Sequence, residues 1–168
     1  PDAFSFALVT QEEILPSHNA RVRSAFRRVF RERRIALHEN SKVGAINADR
    51  IVLEYGAPVA ADATLITTQA AAPGWFRSTG LPLDAGGFLE LRPTLQSTGD
   101  PDVFAAGDCA ALADPRPKAG VFAVRAGPPL ADNLRRRALG LPPRPWSPQK
   151  SHLALISTGE RYAVASRG

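Results

Sequence analysis

The chain has 168 residues, 44% of them hydrophobic, and 21 Lys and Arg against 16 Asp and Glu give a formal net charge of +5. That composition supports one domain, or parts of two, with a real core, and excludes a disordered tail. No apolar run approaches the roughly 20 residues that span a bilayer, and no basic segment followed by an apolar core opens the sequence, so a cytoplasmic location is expected.

Phe4 to Val9 is an apolar run suited to a short buried parallel strand, followed by polar Thr10-Gln11-Glu12-Glu13 and by Ile14-Leu15-Pro16. Ser17 is then placed to cap a helix over His18 to Arg34. Within it Val22, Ala25, Phe26, Val29 and Phe30 recur at helical spacing, which turns the seven arginines between Arg21 and Arg34 toward solvent. A solvated basic face is the expectation, ahead of a phosphate- or nucleic-acid-binding one. Strand, loop and helix make half of a βαβ unit.

From Ile35 to Thr68 short runs follow one another: Ile35 to His38, Val43 to Ile46, Ile51 to Tyr55 and Ala63 to Thr67. Turns at Asn47 to Arg50 and at Gly56-Ala57-Pro58 point to a small antiparallel meander returning to the main sheet. Ala70 to Phe76 and Gly80 to Asp84 are connecting loop with a short helical turn, in which Trp75 and Phe76 suit interface packing better than stacking on a ligand. Phe88 to Leu91 is the next strand.

Gly99-Asp100-Pro101-Asp102 then forms a turn before Val103-Phe104-Ala105-Ala106, an apolar run suited to a buried strand, and Gly107-Asp108 closes it. Open α/β sheets bind ligands at such a strand end. Gly107 lets backbone turn and a second molecule approach, and Asp108 supplies an acceptor for a sugar or polyol hydroxyl. The competing reading makes Asp108 the cap of a short helix over Cys109 to Leu112. Cys109 is the single cysteine, which excludes an internal disulfide, a Cys-x-x-Cys redox pair and an all-cysteine metal site. It suits packing better than nucleophilic attack. His18, His38 and His152 are scattered and form no helical metal pair, so no metal site is expected.

Asp114-Pro115-Arg116-Pro117 is a rigid turn ahead of a helix that starts near Lys118, and Gly127-Pro128-Pro129 should kink or split that helix. Leu134 to Leu139 ends at Gly140, and Leu141 to Pro148 is an extended proline-rich linker. Leu153 to Ser157 and Tyr162 to Ser166 flank Thr158-Gly159-Glu160-Arg161 in the pattern of a β-hairpin.

Thr98, four residues and then Val-Phe-Ala-Ala-Gly-Asp resembles the second flavin-binding motif of the pyridine nucleotide-disulfide oxidoreductase superfamily. The run from Lys118 to Leu130 with Asn133-Leu134 is similar to the helix that follows in that family, whose N-terminus faces the isoalloxazine ring. The subgroup it most resembles is the flavoprotein half fused ahead of selenide, water dikinase, which is close to NADH dehydrogenases. The resemblance implies an α/β protein with a partial FAD/NAD(P)-binding Rossmann-like, three-layer fold, a small antiparallel meander and a C-terminal hairpin. It divides the chain into part of a NAD(P)-binding domain over 1–68, part of an FAD-binding domain over 69–148 and the start of a hairpin or interface domain over 149–168. The implied cofactors are FAD, with Asp108 on a ribityl hydroxyl, and NAD(P)H as substrate. The implied binding residues are Gly107, Asp108, Lys118, Gly120, Val121, Phe122 and Thr68. No side chain is expected to be catalytic in its own right, because the flavin would carry the electrons to a small acceptor such as a quinone.

The sequence departs from that family at three places. No Gly-x-Gly-x-x-Gly turn is present, so neither phosphate loop is in this chain, and a C-terminal fragment lacking the N-terminal half of its parent is expected. Such a fragment would be inactive alone and would expose sheet edges that a homodimer could cover. Thr10 stands where an acid would take the adenine ribose, with Glu12 and Glu13 nearby. Thr67-Thr68-Gln69 replaces an Ala-Thr-Gly element, adding a side chain where backbone passes the cofactor. The last two departures favour the alternative, a non-catalytic FAD-binding or regulatory module attached to another enzyme. A nucleic-acid partner is not expected.

Overall fold

The computed structural model describes residues 4–167. They form two compact units: one runs to Ile66 and resumes at Ser151, and the other is Thr67–Lys150.

In the first unit β1 (Ala7–Val9) and β2 (Ala36–His38) pair in parallel, with Ala7 opposite Ala36 and Val9 opposite His38, and α1 (Ala20–Glu32) makes the crossover between them. This is the βαβ unit expected from the pattern. The strand is shorter and less buried than the apolar run suggests: Phe4 and Phe6 lie ahead of β1 and are 76% and 64% exposed. The helix starts later than expected. His18 N–H donates to the Leu15 carbonyl, closing a turn around Pro16 and Ser17, and Asn19 becomes the cap by accepting the Val22 amide at 3.1 Å. Val22 and Phe26 face inward with Ile14, and Phe30, Leu37, Ile156 and Val164 pack around them.

Three arginines of α1 and its C-cap Arg33 make ion pairs. Arg23 and Arg27 reach Glu13, Arg27 also reaches Glu39, Arg28 lies 3.7 Å from Glu32, and Arg33 lies 3.7 Å from Glu160. Thr10 is held by main-chain bonds, its N–H to the His38 carbonyl and its carbonyl to Ser41, both at 2.9 Å.

The antiparallel meander consists of β3 (Val43–Ile46), β4 (Arg50–Leu53) and β5 (Val59–Ala60). Ile35 to His38 belongs to the parallel pair instead, and Ala63 to Thr67 is unpaired, with Leu65 91% exposed. β8 (Leu153–Gly159) and β9 (Tyr162–Arg167) form the expected hairpin. Its turn places Glu160 and Arg161 at φ of 51° and 62°, the two positive angles of a type I′ turn. Ile156 and Val164 meet α1 from this hairpin, and a 2.7 Å hydrogen bond links Ser166 Oγ to His18 Nδ1.

The second unit is built on β6 (Leu89–Leu91) and β7 (Ala110–Leu112), paired in parallel, and on α2 (Gly120–Ala138). Leu89, Leu91, Leu95, Ala110 and Ala126 form its buried core. Val103 to Ala106 is not a regular strand. It makes one bridge, Phe104 to Gln96, with Ser97 N–H on the Val103 carbonyl and Ala105 N–H on the Leu95 carbonyl. The ladder stops because Leu95 sits at φ 64°, which turns its neighbours out of register.

Pro128 and Pro129 do not split α2. Each removes a donor to the carbonyl four residues back, at Val124 and Arg125, and both of those residues are exposed to water. The helix ends as its sequence suggests: Gly140 has φ 69°, its N–H donates to Arg137 O at 3.1 Å, and Leu141 N–H donates to Arg136 O at 2.8 Å. That pair of bonds satisfies two orphan carbonyls of the last turn. The proline-rich segment after it is fastened down rather than free. Asn133, 1% exposed, donates to the Thr94 and Arg144 carbonyls at 2.9 and 2.8 Å and accepts the Arg144 amide at 2.7 Å.

Candidate cofactor-binding site

Gly107 to Cys109 is one 3-10 turn that passes directly into β7. Gly107 has φ 77°, and a Cβ there would stand 3.1 Å from the Cβ of Ala123. The turn and the first turns of α2 can approach only because position 107 has no side chain. No helix follows over Cys109 to Leu112, so Asp108 caps nothing. Its carboxylate is exposed and takes no hydrogen bond or ion pair from the described residues. The Cys109 thiol donates to the Ala106 carbonyl at 3.3 Å, which places it in packing.

A cavity of about 210 Å³ opens beside this turn. Of the residues expected at the site, Gly107, Asp108, Lys118 and Phe122 line it. Thr68 is exposed in an irregular stretch and does not line it. Gly120 and Val121 are not in the wall but open α2, and their N–H groups have no partner among the described residues, whereas the Phe122 N–H donates to Ala119 O at 3.0 Å. The helix start therefore keeps two free donors and the positive end of its dipole.

Lys118 is exposed, yet its ammonium has partners. Its Nζ donates to the Ala110 carbonyl and lies 4.0 Å from the centroid of the Phe88 ring, so its charge is held in the cavity wall. On the next stretch of wall Arg116 grips Asp114 through two 2.6 Å bonds, which hold the Asp114 carboxyl below its usual range. Arg116 Nε also donates to the Gln149 carbonyl at 3.0 Å. Trp75 and Phe76 form an edge-on pair with centroids 4.5 Å apart and do not line the cavity.

Phe88, Arg116 and Trp146 line the cavity without having been singled out by the sequence. The signal for Trp146 lay elsewhere, in a polar Asn133 on the otherwise apolar stripe of Phe122 and Ala126. A buried asparagine needs partners, and those partners turn out to be the backbone that carries Trp146. Among the described residues no cluster of His, Cys, Asp and Glu could hold a metal ion, and no helix is long and apolar enough to cross a membrane.

A parallel βαβ crossover in one unit and a Gly-Asp turn facing a helix start in the other define a Rossmann-like α/β fold. The chain belongs to the pyridine nucleotide-disulphide oxidoreductase family, whose sequence pattern matches residues 7–131. It is similar in structure to the sulfide:quinone oxidoreductase of the hyperthermophilic bacterium Aquifex aeolicus, with a TM-score of 0.74 and 18% identity over 97% of this chain and 45% of that one. It also resembles the water-forming NADH oxidase of Lactobacillus brevis, with a TM-score of 0.75 and 16% identity over 96% of this chain and 37% of that one. The NAD-dependent persulfide reductase of A. fulgidus matches with a TM-score of 0.72 and 17% identity over 96% and 31% of the two chains. The chain thus spans less than half the length of these structures. Among curated proteins no sequence matches it.

Proposed function

We propose that this chain is part of an FAD-dependent oxidoreductase that passes electrons from NAD(P)H through the flavin to a small acceptor such as a quinone. One observation carries the reading: Asp108, an exposed carboxylate with no partner of its own, stands after a glycine turn at the edge of a cavity that a helix start adjoins. Its carboxylate is free to accept a ligand hydroxyl. Membership of the family and the sulfide:quinone, NADH and persulfide enzymes among the structural neighbours support the same class of chemistry.

The residues present fit the cofactor. Gly107 keeps the approach open, Asp108 would accept a ribityl hydroxyl, and the free N–H groups of Gly120 and Val121 would favour negative charge near the ring. Lys118, held by Ala110 and Phe88, adds a fixed positive charge to the same wall. Bound FAD would supply the hydride and electron chemistry, and the protein groups act by placement and charge. Thr68 enters this proposal only as backbone leading toward the site.

The test is the visible spectrum of the natural-length protein, purified without added cofactor and then mixed with NADH or NADPH. Flavin bands that bleach support the oxidoreductase and report which nicotinamide it prefers. A protein that stays colourless after FAD is added overturns it and leaves the non-catalytic module.

A further inference from the structure

Three aromatic rings line the cavity: Phe88, Phe122 and Trp146. Phe88 already carries the Lys118 ammonium over its ring, and Phe122 is buried in the unit. Trp146 and Phe88 are both half-buried, but only the Phe88 ring is covered by Lys118; Trp146 packs against the core cluster that contains Leu95 and Ala126 and also lines the cavity. Its segment holds no helix or strand, yet it is fixed at two points. Trp146 N–H donates to the Pro93 carbonyl at 2.9 Å, and two residues earlier Arg144 is clamped through both its N–H and its carbonyl by Asn133. An indole on a fastened backbone in the cavity wall is a stacking surface for a planar ring.

We propose that Trp146 is the residue against which the ring system of the bound flavin lies, and that Asn133 is the positioning residue that keeps it there. This rests on the reading of the cavity as a flavin site, and the ligand class is a planar heteroaromatic ring bearing a hydroxylated chain, the chain falling to Asp108. A freely moving segment would lose backbone entropy when its tryptophan stacks, and the Asn133 clamp removes that cost before the ligand arrives.

The readout is the emission of the bound flavin in the natural-length protein loaded with FAD. An indole in contact with a flavin ring quenches its emission, and a phenyl ring does so far less. Trp146→Phe is expected to raise emission and lengthen its lifetime several-fold while FAD stays bound, and Trp75→Phe, on an exposed ring outside the cavity, is expected to change neither. Asn133→Ala is expected to brighten the flavin although Trp146 is retained, which loss of fold alone would not do while FAD remains bound. Should Asn133→Ala fail to fold, Trp146→Phe decides. Bound flavin whose emission and lifetime are unchanged by Trp146→Phe overturns this inference and leaves the flavin site standing. A protein that binds no FAD overturns both.

Discussion

Arg27 and Glu39 meet end to end. Nε donates to Oε2 at 2.9 Å and Nη2 to Oε1 at 2.8 Å, and the same carboxylate accepts the Ile14 amide at 2.7 Å. Charge-assisted bonds in this forked geometry are stronger than single neutral ones, and they join α1 to the stretch just after β2. They also leave Glu13 and Glu39 committed inside the unit rather than offered to a ligand.

The Arg27 bonds, with the Ile14 amide behind them, hold the Glu39 carboxyl below its usual range, and Glu39 and Glu13 together push the Arg27 guanidinium up. A carboxyl whose folded-state pKa lies below the unfolded value, about 4.3, stabilises fully above that value, and the contribution is lost as pH falls through the folded one. The stability difference between wild type and Glu39→Gln, read from urea midpoints, is therefore expected to be constant from about pH 7 to pH 5 and to shrink below about pH 4. A difference that does not change with pH would show that the pair contributes nothing through ionisation.

Asp108 has no partner to lose, so Asp108→Ala should leave the unfolding midpoint where it is. Loss of a charged hydrogen bond to a hydroxyl is expected to weaken FAD retention by roughly ten- to a hundredfold. Flavin content after desalting, followed by back-titration with FAD, measures it. Unchanged retention would remove Asp108 from the site.

Gly107→Ala combines two costs, a left-handed φ and a Cβ placed 3.1 Å from Ala123. It is expected to destabilise the protein by about 1–2 kcal/mol. Adding Ala123→Gly relieves the contact but not the backbone strain, so thermal unfolding of the double variant should recover part of the loss after allowing for the helix propensity of glycine. Full stability in the single variant would mean that the turn can relax.

Asn133→Ala would strip partners from two carbonyls and one amide in a site that is 1% exposed. The expected cost is about 2–4 kcal/mol by urea unfolding, at a buried polar group whose partners are left unpaired. Asn133→Asp should not restore stability, because a carboxylate cannot donate to Thr94 and Arg144. Rescue by aspartate would show that the amide donors are not what holds the segment.

The sequence carried the local features well. The apolar stripe of α1, Gly140 at the end of α2 and the hairpin around Glu160 depend on residues close in the chain, and each formed as its pattern implies. Legibility failed where distant residues decide. Val103 to Ala106 has the composition of a strand, but Leu95 in a left-handed conformation breaks the ladder it would join. Pro128 and Pro129 would break an ideal helix, but they fall where the freed carbonyls face water. The turn at Gly107-Asp108 was legible because it is set by adjacent residues. Trp146 was hidden because a proline-rich run predicts extension and says nothing of Asn133, which fastens it from another element.

One property of the first unit bears on how the protein is made. Phe26 finds Ile156 and Val164 in its core, and 130 residues separate Phe26 from Ile156. Synthesis delivers α1 before the hairpin, so this core stands open on the ribosome until the intervening unit has been made. Closing so wide a loop is slow in any case. The nascent chain therefore presents an unfinished apolar surface while the intervening unit is translated, which makes it a natural client for chaperones.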